Sequence, residues 1–183
     1  MKLHRPTFRI AAVGLGLAVV VSLVAGPALA GAAVLPVTAA NSTVRSSVPP
    51  HGTVDAWGYN VFGQVGNGTT TDSRVPVRVH GLTGVIAIAG GEYTGYALRV
   101  NGTVYAWGDN YRGQLGNGTT APYSRVPVRV GSLTHITAIA GGAYAGYALR
   151  SDGTVYAWGA NNWGQLGHGT TTDSHVPVRK SVV

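Results

Sequence analysis

The chain contains no cysteine, so neither a disulfide nor a thiolate metal site can hold it together. Charged side chains are also scarce. The 13 Lys and Arg and the 6 Asp and Glu make up 10% of 183 residues, far below the usual quarter of a soluble domain. The hydrophobic share is an ordinary 45%, which excludes a chain kept unfolded by its own charge. Glycine and proline are what the sequence has in quantity. With 28 glycines and 9 prolines, a long helical architecture is excluded and frequent turns are required.

The first thirty residues differ from the rest. Lys2, Arg5 and Arg9 precede an apolar run from Ile10 to Val24, and Ala28-Leu29-Ala30 places small residues where a signal peptidase reads them. This is the pattern of a Sec-type signal peptide cleaved after Ala30; the run is shorter than the roughly 20 residues of a membrane span. No Arg-Arg pair points to the twin-arginine route. Cleavage lowers the formal net charge from +7 to +4, because residues 1–30 hold three basic residues and no acid. The expected mature form is secreted and carries no membrane segment. Residues 31–50, rich in Ala, Ser, Thr, Val and Pro, are expected to form a disordered lead-in. Four Asn-x-Ser/Thr sequons occur, but those at Asn67, Asn101 and Asn117 read better as turns.

From residue 51 onward the chain repeats. Gly52-Thr-Val-Asp-Ala-Trp-Gly58 returns at Gly102–Gly108 and Gly153–Gly159, with spacings of 50 and 51. That period, with short apolar segments and glycine turns, points to blades of a β-propeller. A whole unit holds four candidate strands, at 84–91, 96–99, 103–107 and 125–130 in the second copy. The first consists of Ala, Gly and Ile and can lie near the axis, where blades converge. The second and third are joined through Asn101-Gly102 or Asp152-Gly153, which suit a tight hairpin turn. The fourth carries Pro76, Pro127 or Pro177 and alternates Val with Arg, as a solvated edge strand would, with Val buried.

Between the third and fourth strands runs a loop repeated almost letter for letter: Asn60-Val-Phe-Gly-Gln-Val-Gly-Asn-Gly-Thr, Asn110-Tyr-Arg-Gly-Gln-Leu-Gly-Asn-Gly-Thr and Asn161-Asn-Trp-Gly-Gln-Leu-Gly-His-Gly-Thr. The string W-G-x-N-x-x-G-Q-L-G-x-G-T, preceded by A-x-A-G-G and the A-L strand, resembles the repeat of the regulator of chromosome condensation family over residues 52–179. That resemblance implies a seven-bladed propeller. The A-I-A-G-G-x-Y and A-W-G-x-N patterns are also similar to the exported β-lactamase-inhibitor propeller.

The strand count gives two and a half blades: a half blade over 53–79 and whole blades over 85–130 and 136–179, ten strands in all. The inner two strands of the first blade are missing, and Pro49-Pro50 prevents the lead-in from supplying them. The two terminal faces should be bare, with Trp57 on one of them. The expectation is therefore a propeller fragment, either a truncated product or one that needs further blades from another chain. Head-to-tail association of copies would still omit strands one and two.

Chemistry-bearing groups are sparse. Asp55, Asp72, Asp109, Asp152 and Asp173 are read as turn carboxylates. The histidines stand at unrelated phases of the repeat, which excludes a paired metal site, and no Ser stands in a nucleophile elbow. Gly113–Gly118 is glycine-rich but opens no helix, so it is not a phosphate cradle. The Asn110/Gln114 pair is expected to bind loop backbone. No catalytic, cofactor or metal site is expected. Arg74, Arg78, Arg125, Arg129, Arg179 and Lys180 fall on the outer strands, where they solubilise an edge, and nucleic acid is not expected as a partner.

The informative positions are those where the repeats differ. Phe62 corresponds to Arg112 and Trp163, Val61 to Tyr111 and Asn162, and Glu92-Tyr93 to Ala143-Tyr144. Aromatic and Arg tips on a rigid scaffold have the composition of a protein-binding surface. Phe62, Glu92, Tyr93, Tyr111, Arg112, Tyr144 and Trp163 are accordingly the candidate contact residues for a protein partner, while Tyr96 and Tyr147 are assigned to the core. The leading reading is a non-enzymatic interaction module. The alternatives are an enzyme inhibitor contacting through Tyr93 and Tyr144, a guanine-nucleotide exchange factor as in the family's nuclear members, and attachment to carbohydrate through exposed aromatics.

Overall fold

The computed structural model describes residues 52–180 and the backbone of residues 7–12. The remainder of the expected leader, and the lead-in, lie outside the described residues. Eleven strands and no helix are present among them: β1 (Thr7–Ala12), β2 (Thr53–Gly58), β3 (Ser73–Arg78), β4 (Val85–Gly90), β5 (Thr94–Arg99), β6 (Val104–Asp109), β7 (Tyr123–Arg129), β8 (Ile136–Gly141), β9 (Ala145–Arg150), β10 (Val155–Gly159) and β11 (Ser174–Arg179).

Two sheets are whole four-stranded antiparallel blades, ordered β4-β5-β6-β7 and β8-β9-β10-β11, which is the order the strand chemistry predicts. At the β5–β6 hairpin, Gly102 takes φ +73°, and the Thr103 amide donates to the Asn101 side chain over 3.2 Å. The innermost strands converge on their Gly-Gly pairs. A Cβ on Gly91 would stand 2.8 Å from the carbonyl oxygen of Gly142, so only glycine fits there.

The first sheet departs from expectation. Beside the antiparallel pair β2–β3 lies β1, parallel to β2 in the register Thr7 to Thr53 through Ala12 to Gly58. One of the two positions expected to be empty is thus taken by a stretch of the expected leader. An edge strand with free backbone groups is a template for any extended segment, whichever way it runs. Two smaller expectations also change. Asp55 lies within β2 rather than at a turn, and its carboxylate pairs with Arg78 at 2.8 Å. On the outer strands Val75, Val126 and Val176 are exposed, because only the inward side of each outer strand meets another sheet.

Two of the three core clusters lie between units; the third, of Ala145, Ala157 and Leu166, lies within the last unit. One cluster joins Val54, Ala56 and Val65 of the first unit to Val85, Ala97 and Trp107 of the second. Its counterpart joins Leu98, Val104 and Leu115 of the second to Ile136, Ala148 and Trp158 of the third. Each Trp sits at a β-bulge, the register shifting between Ala106 and Gly108 and between Ala157 and Gly159. The bulge re-aims the indole at the preceding unit. Trp107 Nε1 donates to the Gln64 carbonyl at 2.9 Å and Trp158 Nε1 to that of Gln114 at 2.8 Å.

Candidate functional site

The repeated loops are held from inside. Asn110, 1% exposed, donates through Nδ2 to the carbonyls of Thr119 and Ala121, and accepts the Leu115 amide on Oδ1 at 3.0 Å. Asn60 and Asn161 make the corresponding bonds. The glutamine side chain then fixes the tip. Gln64, Gln114 and Gln165 accept the amides of Phe62, Arg112 and Trp163 over 2.8 to 2.9 Å. The Asn and Gln expected to bind loop backbone do so. The residue that varies between repeats is the one these bonds hold in place.

The tips meet the turns that follow the Gly-Gly pairs. Phe62 lies edge-on to Tyr93 with ring centroids 5.4 Å apart, Tyr59 edge-on to the same ring at 6.4 Å, and Phe62 edge-on to Tyr111 at 6.2 Å. These are the favoured geometries for aromatic pairs. The Glu92 amide donates to the Ala143 carbonyl at 3.0 Å and so ties the two turns together. Beyond them a cleft of about 720 Å³ is lined by Tyr111, Arg112, Tyr144, Asn162 and Trp163. Arg112 is steered by Asp173 of the next unit, Nη1 to Oδ2 3.2 Å. Trp163 is 90% exposed and Tyr111 66%.

All seven sequence-predicted contact residues therefore gather on one face, which runs from Phe62 and Tyr93 across Tyr111 to Tyr144 and Trp163. Sequence reasoning left out Tyr59 and Asp109, although both differ between repeats. It also assigned Tyr147 to the core. Tyr96 is 1% exposed; Tyr147 packs against the cluster of Ala145, Ala157 and Leu166 but is only half-buried and also lines the cleft, because no further unit covers it among the described residues. A smaller pocket of about 280 Å³, lined by Ser132, Thr134 and Arg150 among others, lies away from this face. Among the described residues no group of three His, Asp or Glu is placed to hold a metal ion.

The face carries a local negative field. The Glu92 carboxylate beside the Tyr144 phenol, with some desolvation, pushes its pKa up to about 12, and desolvation followed by Glu92 raises that of Tyr93. A raised phenol pKa keeps the folded state protonated above the ordinary value near 10, where the unfolded chain ionises. The stability contributed is whole below about pH 10 and declines from there to about 12. Glu92→Gln should move the Tyr144 midpoint down toward 10, read from its ring resonance by NMR. A midpoint that stays near 12 would show that burial alone sets it.

The model of the regulator of chromosome condensation (RCC1) repeat matches residues 51–98, 101–149 and 152–182, and a second model of that description matches 85–114 and 136–165. The chain is 32% identical over 147 residues to the E3 ubiquitin-protein ligase HERC2 of Homo sapiens, covering 78% of this chain and 3% of that protein. It is 36% identical over 136 residues to the Ultraviolet-B receptor UVR8 of Arabidopsis thaliana, covering 72% of this chain and 30% of the receptor. The chain thus spans less than a third of the length of these relatives. Among solved structures it is similar to human WBSCR16, with TM-score 0.63 and 25% identity, covering 72% of this chain and 34% of that one. It is also similar in fold to Prp20p of Saccharomyces cerevisiae, described with binding properties to Gsp1p and histones. There the TM-score is 0.64 at 23% identity, covering 69% of this chain and 34% of Prp20p.

Proposed function

The chain belongs to the regulator of chromosome condensation repeat family, and from that premise we propose that it is an exported, non-enzymatic interaction module that captures a protein on its aromatic face. The observation that carries this reading is the continuous run of Tyr59, Tyr93, Phe62 and Tyr111, with Tyr144 and Trp163 across the adjoining cleft. Binding energy in protein interfaces concentrates on aromatic and Arg side chains, and rigid loops lose little entropy when they engage. Prp20p, described as binding Gsp1p and histones, shows the same fold in a protein binder.

Export follows from the basic, apolar and small-residue segments of residues 1–30. Cleavage after Ala30 would remove β1 and leave β2 with an open edge in the mature form. The test begins with the amino-terminal sequence of the chain recovered from the medium, which should start at Gly31. A photo-crosslinking side chain is then placed at Tyr111, at Trp163 or, as control, at Val126 on the outer strand. Discrete adducts from the first two positions and none from Val126, with the Trp163 adduct lost in Phe62→Ala/Tyr111→Ala, would support the proposal. Equal labelling at all three would overturn it, as would retention of the chain in the cytoplasm.

A further inference from the structure

The same docking contact occurs twice among the described residues, and its third instance is open among them. In the first instance Gln64 accepts the indole N–H of Trp107, and the Gly68 amide donates to the Arg125 carbonyl at 2.9 Å. In the second, Gln114 accepts from Trp158, and the Gly118 amide donates to the His175 carbonyl at 2.8 Å. The approach is close in both. A Cβ on Gly63 would lie 2.6 Å from the Arg125 Cα, and one on Gly113 2.8 Å from the His175 Cα. Gly164 occupies that position in the third loop, and a Cβ there meets nothing within 4 Å; the same holds at Gly169. The sheet behind it is uncovered to match: Leu98 is 1% exposed, whereas its counterpart Leu149 is 39% exposed.

The complementary half is at the other end of the chain. Trp107 and Trp158 are fully buried, while Trp57 is only half-buried. Val75 is 62% exposed, and it corresponds to Val126 and Val176, whose Cγ1 atoms would lie 4.0 and 3.6 Å from a Cβ placed on Gly68 and on Gly118 of the preceding loop. We propose that the third unit docks the first unit of a second copy of this chain, with Trp57 seated against Gln165 as Trp107 and Trp158 are against Gln64 and Gln114. The missing inner strands do not prevent this. The indole, the strand carbonyl and the Val come from strands three and four of a unit, which the first unit has as β2 and β3. Inner-strand contacts such as Gly91 against Gly142 are absent from such a junction, so it is weaker than the internal ones and reversible.

Lys180 shows what the open socket lacks. It stands where Val79 and Val130 stand, its amide bonded to Val155 as theirs are to Val54 and Val104. Its ammonium donates to the Gln165 carbonyl at 3.2 Å and lies 5.6 Å from the Tyr147 ring centre. A cation thus satisfies the carbonyl that accepts an indole N–H in the other two loops, on a stem long enough to swing aside. Since the described residues of each copy hold one socket and one plug, the interface is heterologous, head to tail.

Sedimentation of the full chain over a concentration series tests the proposal. Association should weaken at least about tenfold in Gly164→Asn, which fills the socket with the side chain that best tolerates φ +73°, and also in Trp57→Ala. Gly153→Asn, at an equally open positive-φ turn away from the socket, should leave association unchanged. Mixing the Gly164→Asn and Trp57→Ala chains should restore a complex that neither forms alone, since each keeps the half the other lacks. A chain monomeric throughout, association indifferent to Gly164→Asn, or a mixture that stays monomeric would overturn the proposal. If Trp57→Ala fails to fold, the comparison of Gly164→Asn with Gly153→Asn decides alone.

Discussion

Trp158→Ala should lower the stability of the chain by about 3–5 kcal/mol, the range for truncating a large buried aromatic. The indole is fully buried, its N–H is bonded to Gln114, and it lies edge-on to Tyr96 with centroids 6.0 Å apart. Truncation would remove apolar contact from the cluster that joins the second unit to the third, and would leave one of the hydrogen bonds to the Gln114 carbonyl unmade. Small domains have about 5–15 kcal/mol in total, so the loss is a large share. Because the cluster bridges units, the third unit should come away before the second, and urea unfolding should split into two transitions. Trp57→Ala supplies the contrast. Trp57 occupies the same position in its own unit but is only half-buried, so its truncation should cost markedly less. Equal losses at the two positions would show that the tryptophans stabilise their own blades rather than the junctions.

That contrast also shows what could be read from the sequence. The period places each Trp on the third strand, and Ala, Gly and Pro sort the four strands from axis to rim. Those assignments follow from side-chain size and a missing N–H, which are local properties. Five of the seven candidate contact residues stand out because they differ where everything around them repeats; Tyr93 and Tyr144 are the same residue in both turns and stand out only as aromatics beside such positions. What could not be read is which neighbour each repeat touches. Trp107 is bonded to Gln64, 43 residues earlier, but a repeated string gives no direction of stacking. The same gap hid the difference between Tyr147 and Tyr96: both pack against core clusters, but no further unit covers Tyr147 among the described residues, so it is only half-buried. The pairing of β1 with β2 left no pattern either, since a segment with leader chemistry gives no signal that its backbone pairs in a sheet.

Asn110→Ala should cost about 3–4 kcal/mol and disperse the central part of the aromatic face. The amide is 1% exposed and makes three bonds, to the Thr119 and Ala121 carbonyls at 3.2 and 2.8 Å and from the Leu115 amide at 3.0 Å. Alanine leaves all three backbone groups without a partner in a glycine-rich loop that has few others to offer. Tyr111 and Arg112 follow directly in the chain, so loosening the anchor moves the tip that meets Phe62 at 6.2 Å. The cost should therefore appear both in the urea midpoint and in loss of the Phe62–Tyr111 contact, measured as ring-to-ring nuclear Overhauser effects. Asn110→Asp separates hydrogen bonding from shape. It keeps the acceptor for Leu115 but, when ionised, turns a carboxylate toward two carbonyls, and that repulsion together with burial raises its pKa above the ordinary carboxylate value near 4. Relative to the wild type at each pH, Asn110→Asp should be as destabilised as Asn110→Ala at pH 7, and should recover as the pH falls toward about 4, the recovery starting above that value because burial and the two carbonyls favour the protonated acid, which can donate to one of them. If Asn110→Asp matched the wild type at pH 7, the two carbonyls would be satisfied by solvent, and the loop would owe its shape to glycine geometry rather than to the asparagine.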